Sequence, residues 1–185
     1  MSPAPVAART PAPRTLVLGG VRSGKSRVAE GLALAGALPV TYIATARAGD
    51  GEMAQRIAEH RRRRPVAWGL VEEPLALAEA LADAAAPGRC ILVECLTLWL
   101  TNLLLDETPA RIEREIETLL GVVARCPGRL ILVGNETNMG VTPLGELSRR
   151  YCDLAGGLHQ HLAERCDQVI LVVAGLPLIL KGAAA

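Results

Sequence analysis

The chain has almost no aromatic side chains: its 185 residues include no Phe, two Tyr and two Trp. Proteins that bind single-stranded nucleic acid without sequence preference stack the bases on aromatic rings, so this scarcity argues against such a surface. The formal net charge is only +1, so no overall field attracts nucleic acid or an anionic membrane. Half of the residues are nonetheless hydrophobic, which is enough for a full core of aliphatic side chains. We therefore expect a globular domain without a nucleic-acid partner.

The sequence also lacks the patterns of a disulfide framework, a zinc site or a membrane span. Its five cysteines are odd in number and none are spaced C-x-x-C, which favours a reduced, cytoplasmic setting. The longest apolar run, from Val169 to Leu180, is interrupted by Gly175 and Pro177 and is too short to cross a bilayer. Residues 1–14 are rich in Pro and Ala and have no apolar signal-peptide core. We predict a disordered tail over residues 1–14 and a single domain over residues 15–185.

Lysine is scarce as well, because only Lys25 and Lys181 occur among 20 basic residues. Lys25 lies in "GGVRSGKS", which fits the phosphate-binding pattern G-x-x-x-x-G-K-S between a predicted strand and a predicted helix. In such a loop the glycines let backbone N–H groups turn toward phosphate oxygens, and the helix N-terminus attracts the anion. The predicted phosphate loop consists of Gly19, Gly20, Val21, Arg22, Ser23, Gly24, Lys25 and Ser26.

Short apolar runs alternate with longer helical patterns along the rest of the chain. Strands are predicted at residues 15–20, 40–45, 68–73, 90–96, 129–135 and 168–175, and helices at residues 24–35, 52–63, 75–85, 97–125 (one or two helices) and 144–165. The near-continuous apolar runs at 90–96 and 129–135 are typical of strands buried on both faces. This alternation indicates an α/β domain with a mainly parallel sheet.

Ser26 and Glu94 are the predicted ligands of a magnesium ion. A P-loop enzyme uses an acidic side chain near the loop to hold its metal, and Glu94 follows a predicted strand. A carboxylate paired with Arg22 or Arg47 is the alternative. These features predict a nucleotide, phosphoryl chemistry and Mg²⁺, without identifying the acceptor.

The segment "NETN" at residues 135–138 lacks the N-K-x-D pattern of small G proteins. Asn135 and Glu136 follow a predicted strand at an edge where α/β sheets often carry functional groups, although a role in a turn is equally compatible.

A run of four arginines, Arg61 to Arg64, directly follows His60 in "EHRRRRP". Neighbouring cations disfavour protonation of an imidazole, and they also hold a triphosphate. The pattern therefore suits attack by a neutral His60 on a nucleotide phosphate. The simpler alternative is a solvated helix end, where cations are favourable in themselves.

Six segments, in this order, resemble the bifunctional adenosylcobinamide kinase / adenosylcobinamide-phosphate guanylyltransferase family of cobalamin biosynthesis: "LVLGGVRSGKS", "YIATA", "DGEMAQRIAEHRRRRP", "VECLTLWLTNLL", "GNETNMGVTP" and "LVVAGLPLILK". The resemblance covers nearly everything after the predicted tail. It implies a three-layer P-loop NTPase fold similar to RecA, and assembly as a homotrimer.

The resemblance implies two reactions. GTP or ATP phosphorylates adenosylcobinamide, and GTP then transfers GMP through an enzyme histidine to adenosylcobinamide phosphate, giving adenosylcobinamide-GDP. His60 falls at the position of that histidine, and Lys25 is the second predicted catalytic residue. The other nucleotide-binding positions of the family fall on Thr45, Ala46, Arg47, Arg61, Arg62, Arg63, Arg64, Glu72 and Glu94.

Two positions depart from the family pattern: Gly157 stands where arginine is expected, and His159 where asparagine is expected. We expect His159 and His161 to be surface residues. Two other functions remain compatible with the residues. One is a P-loop small-molecule kinase without nucleotidyl transfer, and the other is a nucleotide-binding regulatory protein without transferase activity.

Overall fold

The computed structural model describes residues 13–47, 51, 55, 58, 61, 62 and 64–183. Its elements are β1 (Arg14–Gly19), α1 (Lys25–Ala35), β2 (Val40–Ala44), β3 (Gly69–Glu72), α2 (Leu77–Ala84), β4 (Cys90–Glu94), α3 (Leu96–Asp106), α4 (Pro109–Arg125), β5 (Arg129–Asn135), α5 (Glu146–Arg165), β6 (Gln168–Val173) and β7 (Leu176–Lys181). Within the segment between β2 and β3, the described residues at 51, 55, 58, 61 and 62 are helical. None of the described helices combines the length and apolar character needed to cross a membrane.

The strands form one seven-stranded sheet in the order β3-β2-β4-β5-β1-β6-β7. Every neighbouring pair is parallel except β6 and β7, which confirms the predicted α/β class with a mainly parallel sheet. The register places Gly19 beside Asn135, and it places both Glu94 and Glu72 beside Ala44. The carboxyl ends of these strands therefore meet at one edge of the sheet.

Helices cover both faces of the sheet, which gives the three layers that the resemblance implied. On one face, α2 to α5 pack against strand residues that include Leu130 and Leu132. On the other face, Ala29 and Ala33 of α1 pack against a set that includes Ile131 and Val133. Because alternate residues of β5 face opposite layers and both layers are apolar, the strand shows no polar alternation.

The predicted elements agree with the structure at most positions, but the last strand is shorter than predicted and a seventh strand follows it. β6 ends at Val173, and Ala174 and Gly175 form a two-residue turn with φ values of 50° and 82°. Turns of this kind match the twist of antiparallel strands, so β7 returns along β6. The sequence analysis treated Gly175 and Pro177 as breaks in an apolar run. Pro177 is accommodated because β7 is an edge strand.

The expectation that His159 lies on the surface is wrong, because this side chain on α5 is only 8% exposed. Its Nδ1 atom lies 4.0 Å from Oε2 of Glu136. Burial lowers the pKa of His159, and the nearby Glu136 carboxylate opposes that shift. His161 is exposed, as expected.

β1 begins at Arg14, whose Nε donates to Oδ2 of Asp167 at 3.0 Å. Residues 1–12 of the predicted tail lie outside the described residues. The tail and its boundary with a single domain remain predictions.

Candidate active site

The loop between β1 and α1 is held in a tight shape by its own backbone. Ser23 N donates to Gly20 O at 3.2 Å, and Gly24 has a φ of 93°, a left-handed conformation that glycine adopts without strain. At Gly19 an added Cβ would lie 2.5 Å from Ser23 Oγ and 2.6 Å from Val172 O. Among the residues that the structure describes, no side chain caps the start of α1, so its first N–H groups are available to an anion.

Lys25 and Ser26 open helix α1 and point their polar groups toward different partners. The Lys25 side chain is largely buried, and its Nζ donates to Gly20 O at 3.2 Å. Ser26 Oγ donates to Glu94 Oε1 at 2.7 Å. The Ser26–Glu94 hydrogen bond joins the start of α1 to the end of β4, although β5 separates β4 from β1 in the sheet.

A cavity of about 650 Å³ opens at this edge of the sheet, within the usual size range of small-molecule sites. It brings together most of the predicted nucleotide-binding residues: Val21, Arg22, Ser23, Gly24, Lys25, Ser26, Ala46, Arg61, Arg64, Glu72 and Glu94.

Arg61 and Arg64, two of the four arginines that line the cavity, are fixed by different contacts. Arg61 forms an ion pair with Glu72, and both side chains are about half exposed. The Arg64 guanidinium carbon lies 5.1 Å from the centre of the Tyr42 ring, a cation–π arrangement. Tyr42 in turn stacks on Trp68 with ring centres 6.5 Å apart. Arg61 and Arg64 therefore lie at the cavity, and nucleotide contact by them remains a prediction.

Other predicted residues lie outside the cavity wall. Thr45 is fully buried: its Oγ1 donates to Cys95 O at 2.7 Å and accepts from Cys95 N at 2.8 Å, so it fastens the end of β2 to the residue before α3. Arg47 forms an ion pair with Asp106 at the end of α3. Arg62 donates through Nε to Ala58 O at 3.4 Å. Nucleotide contact by these three residues remains a prediction.

Gly19 and Gly20 shape the loop without lining the cavity. His60 and Arg63 lie outside the described residues.

The sequence analysis missed nine residues that line the cavity: Arg27, Tyr42, Ala44, Cys95, Thr97, Leu98, Asn135, Ala174 and Gly175. Gly175 N donates to Ser23 O at 2.7 Å, so the β6–β7 turn supports the phosphate loop. Asn135 had a sequence signal, because it ends a predicted strand, but it was not selected as a site residue. Ala174 and Gly175 of the β6–β7 turn had no such signal, because β7 was not predicted.

The described residues contain no cluster of three or more His, Cys, Asp or Glu side chains able to hold a metal ion. Ser26 Oγ and Glu94 Oε1 nonetheless offer two neighbouring oxygens beside the phosphate loop. Mg²⁺ prefers oxygen ligands and is commonly bound through one or two protein groups together with phosphates and water. The Ser26–Glu94 pair fits that mode of binding.

Comparison with known proteins identifies the family. The family described as "Cobinamide kinase / cobinamide phosphate guanyltransferase" matches residues 15–180. The chain is 64% identical over 169 residues to the bifunctional adenosylcobalamin biosynthesis protein CobP of Pseudomonas aeruginosa, covering 91% of this chain and 98% of that protein. It is 40% identical over 179 residues to the bifunctional adenosylcobalamin biosynthesis protein CobU of Escherichia coli K12, covering 90% and 98% of the two chains.

Solved structures with low sequence identity share the fold. An ATPase from the type III secretion system of pathogenic bacteria gives a TM-score of 0.54 at 12% identity, covering 91% of this chain and 57% of that chain. A protein of Pyrococcus horikoshii OT3 gives a TM-score of 0.52 at 12% identity, covering 95% and 89%. These likenesses concern the fold alone. The family match and the two relatives together show that this chain belongs to the cobinamide kinase / cobinamide phosphate guanyltransferase family.

Proposed function

We propose that this chain carries out both reactions of its family, phosphorylation of adenosylcobinamide and transfer of GMP from GTP to the resulting phosphate, in the cavity described above. The observation that carries the proposal is that one cavity is lined by residues 21–26 of the phosphate loop, the Ser26–Glu94 pair, and Arg61 and Arg64. Both reactions develop negative charge on phosphate oxygens, so the same cationic wall stabilises both.

In the kinase reaction, the loop N–H groups and the start of α1 hold the phosphates of GTP or ATP, and Lys25 reaches the terminal phosphates. The acceptor hydroxyl oxygen forms a bond to the γ-phosphorus as the bond to the β-phosphate oxygen breaks. The hydroxyl proton is released to water and the nucleoside diphosphate leaves. Ser26 and Glu94 are the residues that would hold Mg²⁺, which neutralises phosphate charge when bound.

In the guanylyl transfer, His60 attacks the α-phosphorus of GTP, an N–P bond forms and pyrophosphate leaves. A phosphate oxygen of adenosylcobinamide phosphate then attacks the same phosphorus and the N–P bond breaks, which releases adenosylcobinamide-GDP. The proposal is supported by the position of Arg61, which follows His60 directly in the chain and lines the cavity. Arg61 and Arg64 hold the phosphates while the charge on them changes.

The experiment that tests the histidine uses GTP labelled at the α-phosphate. The protein is mixed with labelled GTP and Mg²⁺ and denatured, and the label that stays on the chain is measured for the wild type, His60→Ala and His161→Ala. We expect acid-labile, base-stable label on the wild type and on His161→Ala, whose altered residue is exposed on α5. His60→Ala should carry none.

A second assay, with GTP labelled at the γ-phosphate, separates the two alternative functions by whether the label passes to adenosylcobinamide. γ-Phosphate transfer to adenosylcobinamide without any labelled enzyme would favour a kinase that lacks nucleotidyl transfer. GTP binding with neither transfer would favour a regulatory protein. The homotrimer remains an expectation from the family resemblance, and the cytoplasmic location remains an expectation from the cysteine pattern.

A further inference from the structure

Asn135 is a polar residue of the cavity wall that neither the phosphate motif nor the arginine run includes. It is the last residue of β5, the strand that lies between β1, which leads into the phosphate loop, and β4, which ends at Glu94. The parallel register pairs Asn135 with Gly19, the first residue of the phosphate loop. Asn135 therefore lies between the two parts of the site that hold phosphate and metal.

The backbone of Asn135 is fixed on both sides. Its own N–H donates to Thr97 Oγ1 at 2.7 Å, and the N–H of Glu136 donates to Gly19 O at 3.1 Å. Within the described part of the chain, the Asn135 side-chain amide makes no hydrogen bond, although the residue lines the cavity. A polar side chain on a fixed backbone that faces a cavity is well placed to bind a ligand.

The neighbours of Asn135 are the groups that meet the terminal phosphate. Lys25 Nζ donates a hydrogen bond to Gly20 O. Gly20 is the residue after Gly19, which pairs with Asn135 in the sheet. In phosphate loops the lysine reaches the β- and γ-phosphates, and the serine after it lies at the metal that bridges them. The γ-phosphate would therefore lie between Lys25 and the Ser26–Glu94 pair, next to the end of β5.

We propose that the Asn135 side-chain amide donates a hydrogen bond to a γ-phosphate oxygen and acts as a catalytic residue of the kinase reaction only. This inference rests on the proposed function. In the transition state of phosphoryl transfer, negative charge is spread over the three equatorial oxygens of the transferred group. A donor fixed to meet one of them in that geometry binds the transition state more tightly than the ground state. Guanylyl transfer breaks a bond at the α-phosphorus, and the same donor then adds only to the binding of GTP.

The test compares the two reactions in the full chain carrying Asn135→Ala. At saturating GTP, we expect γ-phosphate transfer to adenosylcobinamide to fall about 100-fold, the usual effect of removing one fixed donor to a transition-state oxyanion. The rate of enzyme guanylylation at saturating GTP should stay at the wild-type value. GTP should bind about tenfold more weakly while GDP binds normally, which a calorimetric titration measures without turnover.

The matched control is Asn138→Ala, which changes the same residue type in the same loop. Asn138 donates through Nδ2 to Cys152 O and lies outside the cavity wall, so this variant reports on loop disturbance alone. Asn135→Asp adds a second test, because it keeps the side-chain size but replaces the donor with a carboxylate. It should lose at least as much kinase activity as Asn135→Ala.

Three results would overturn the assignment: an unchanged kinase rate in Asn135→Ala, an equal fall in both reactions, or the same kinase loss in Asn138→Ala. A wild-type protein that transfers no γ-phosphate would instead remove the proposed function on which the assignment rests. Normal GDP binding by each variant shows that the site has folded.

Discussion

At the scale of single residues, the buried hydroxyl of Ser23 is an unusual feature of the phosphate loop. Ser23 Oγ is buried against Gly19 and has no hydrogen-bond partner among the residues that the structure describes. A buried hydroxyl left without a partner costs about 1–3 kcal/mol, so native proteins rarely keep one without a reason. Ser23 lines the cavity, and a phosphate oxygen bound there would accept its hydrogen bond.

His159 makes the stability of the fold depend on pH. Burial lowers its pKa below the usual value of about 6.5, and Glu136 opposes that shift. The unfolded chain therefore takes up a proton at a higher pH than the folded chain. The stability that neutral His159 provides is complete above the unfolded pKa, and it is lost as the pH falls toward the lower folded value.

We therefore predict that His159→Asn reduces the loss of stability in mild acid. The measurement is the free energy of unfolding in urea, taken near pH 7.5 and near pH 5.5 for both proteins. The wild type should lose more stability between the two pH values than the variant. His161→Asn is the control, because His161 is exposed on the same helix. Equal losses in the wild type and His159→Asn would contradict the prediction.

At the scale of elements, the β6–β7 hairpin supports the phosphate loop. Gly175 donates its N–H to Ser23 O, and a Cβ added at Gly24 would lie 3.1 Å from Gly175 Cα. Both glycines have positive φ, so the turn and the loop approach each other closely through backbone alone. A change in the turn is therefore transmitted to the predicted phosphate loop.

Gly175→Ala should weaken both the fold and nucleotide binding. Its φ of 82° costs an L-residue about 1–2 kcal/mol, and the new Cβ would lie 3.1 Å from Arg27 Nη2. We expect a loss of that size in urea unfolding, together with weaker GTP binding in a calorimetric titration.

The matched control is Gly157→Ala on α5, where an added Cβ meets no atom within 4 Å. Removing a glycine from a helix should stabilise the protein by about 0.5–1 kcal/mol and leave GTP binding unchanged. If Gly175→Ala binds GTP as tightly as Gly157→Ala does, the hairpin does not support the loop.

The sequence predicted those elements whose signals are local. β5 has the predicted bounds because its apolar run is unbroken. Residues 97–125 were predicted as one or two helices, and the start of α4 at Pro109, a residue favoured in the first turn of a helix, was not predicted. β7 was missed because Gly175 in the turn and Pro177 in the edge strand were taken as interruptions of one apolar run. Burial of His159 has no local signal, since it depends on where α5 packs.

The same distinction applies to the site. The phosphate loop is contiguous and was predicted whole, whereas Tyr42 and Thr97 join the cavity only through the strand order and register of the sheet. Long-range pairing of this kind is absent from a single-sequence pattern. Asn135 was noticed for its place at a strand end, but only the register with Gly19 connects it to the phosphate loop.

At the scale of the whole molecule, the cavity is assembled from segments that are far apart in the chain. The phosphate loop, the ends of β2, β3, β4 and β5, and the β6–β7 turn all contribute residues to its wall. This agrees with the general rule that open α/β sheets bind ligands outside the carboxyl ends of their strands. Unfolding separates these segments, so a ligand of the cavity binds the folded chain and not the unfolded one.

GTP should therefore stabilise the entire domain against unfolding. At a free concentration of about 100 times its dissociation constant, GTP with Mg²⁺ should add about 2.7 kcal/mol to the free energy of unfolding. The chain offers a matched pair of variants in its two lysines. Lys25 lines the cavity, whereas Lys181 donates to Ala163 O on α5 at 2.7 Å.

At the same GTP concentration, Lys25→Ala should show little stabilisation, because it lacks the ammonium group that we propose meets the terminal phosphates. Lys181→Ala should show the full increase in the free energy of unfolding on addition of GTP. The quantity compared is the shift caused by GTP in each protein, since removing a buried ammonium group also changes the stability of the nucleotide-free fold. An equal shift in Lys25→Ala and Lys181→Ala would mean that GTP binds elsewhere than in the cavity at the carboxyl edge of the sheet.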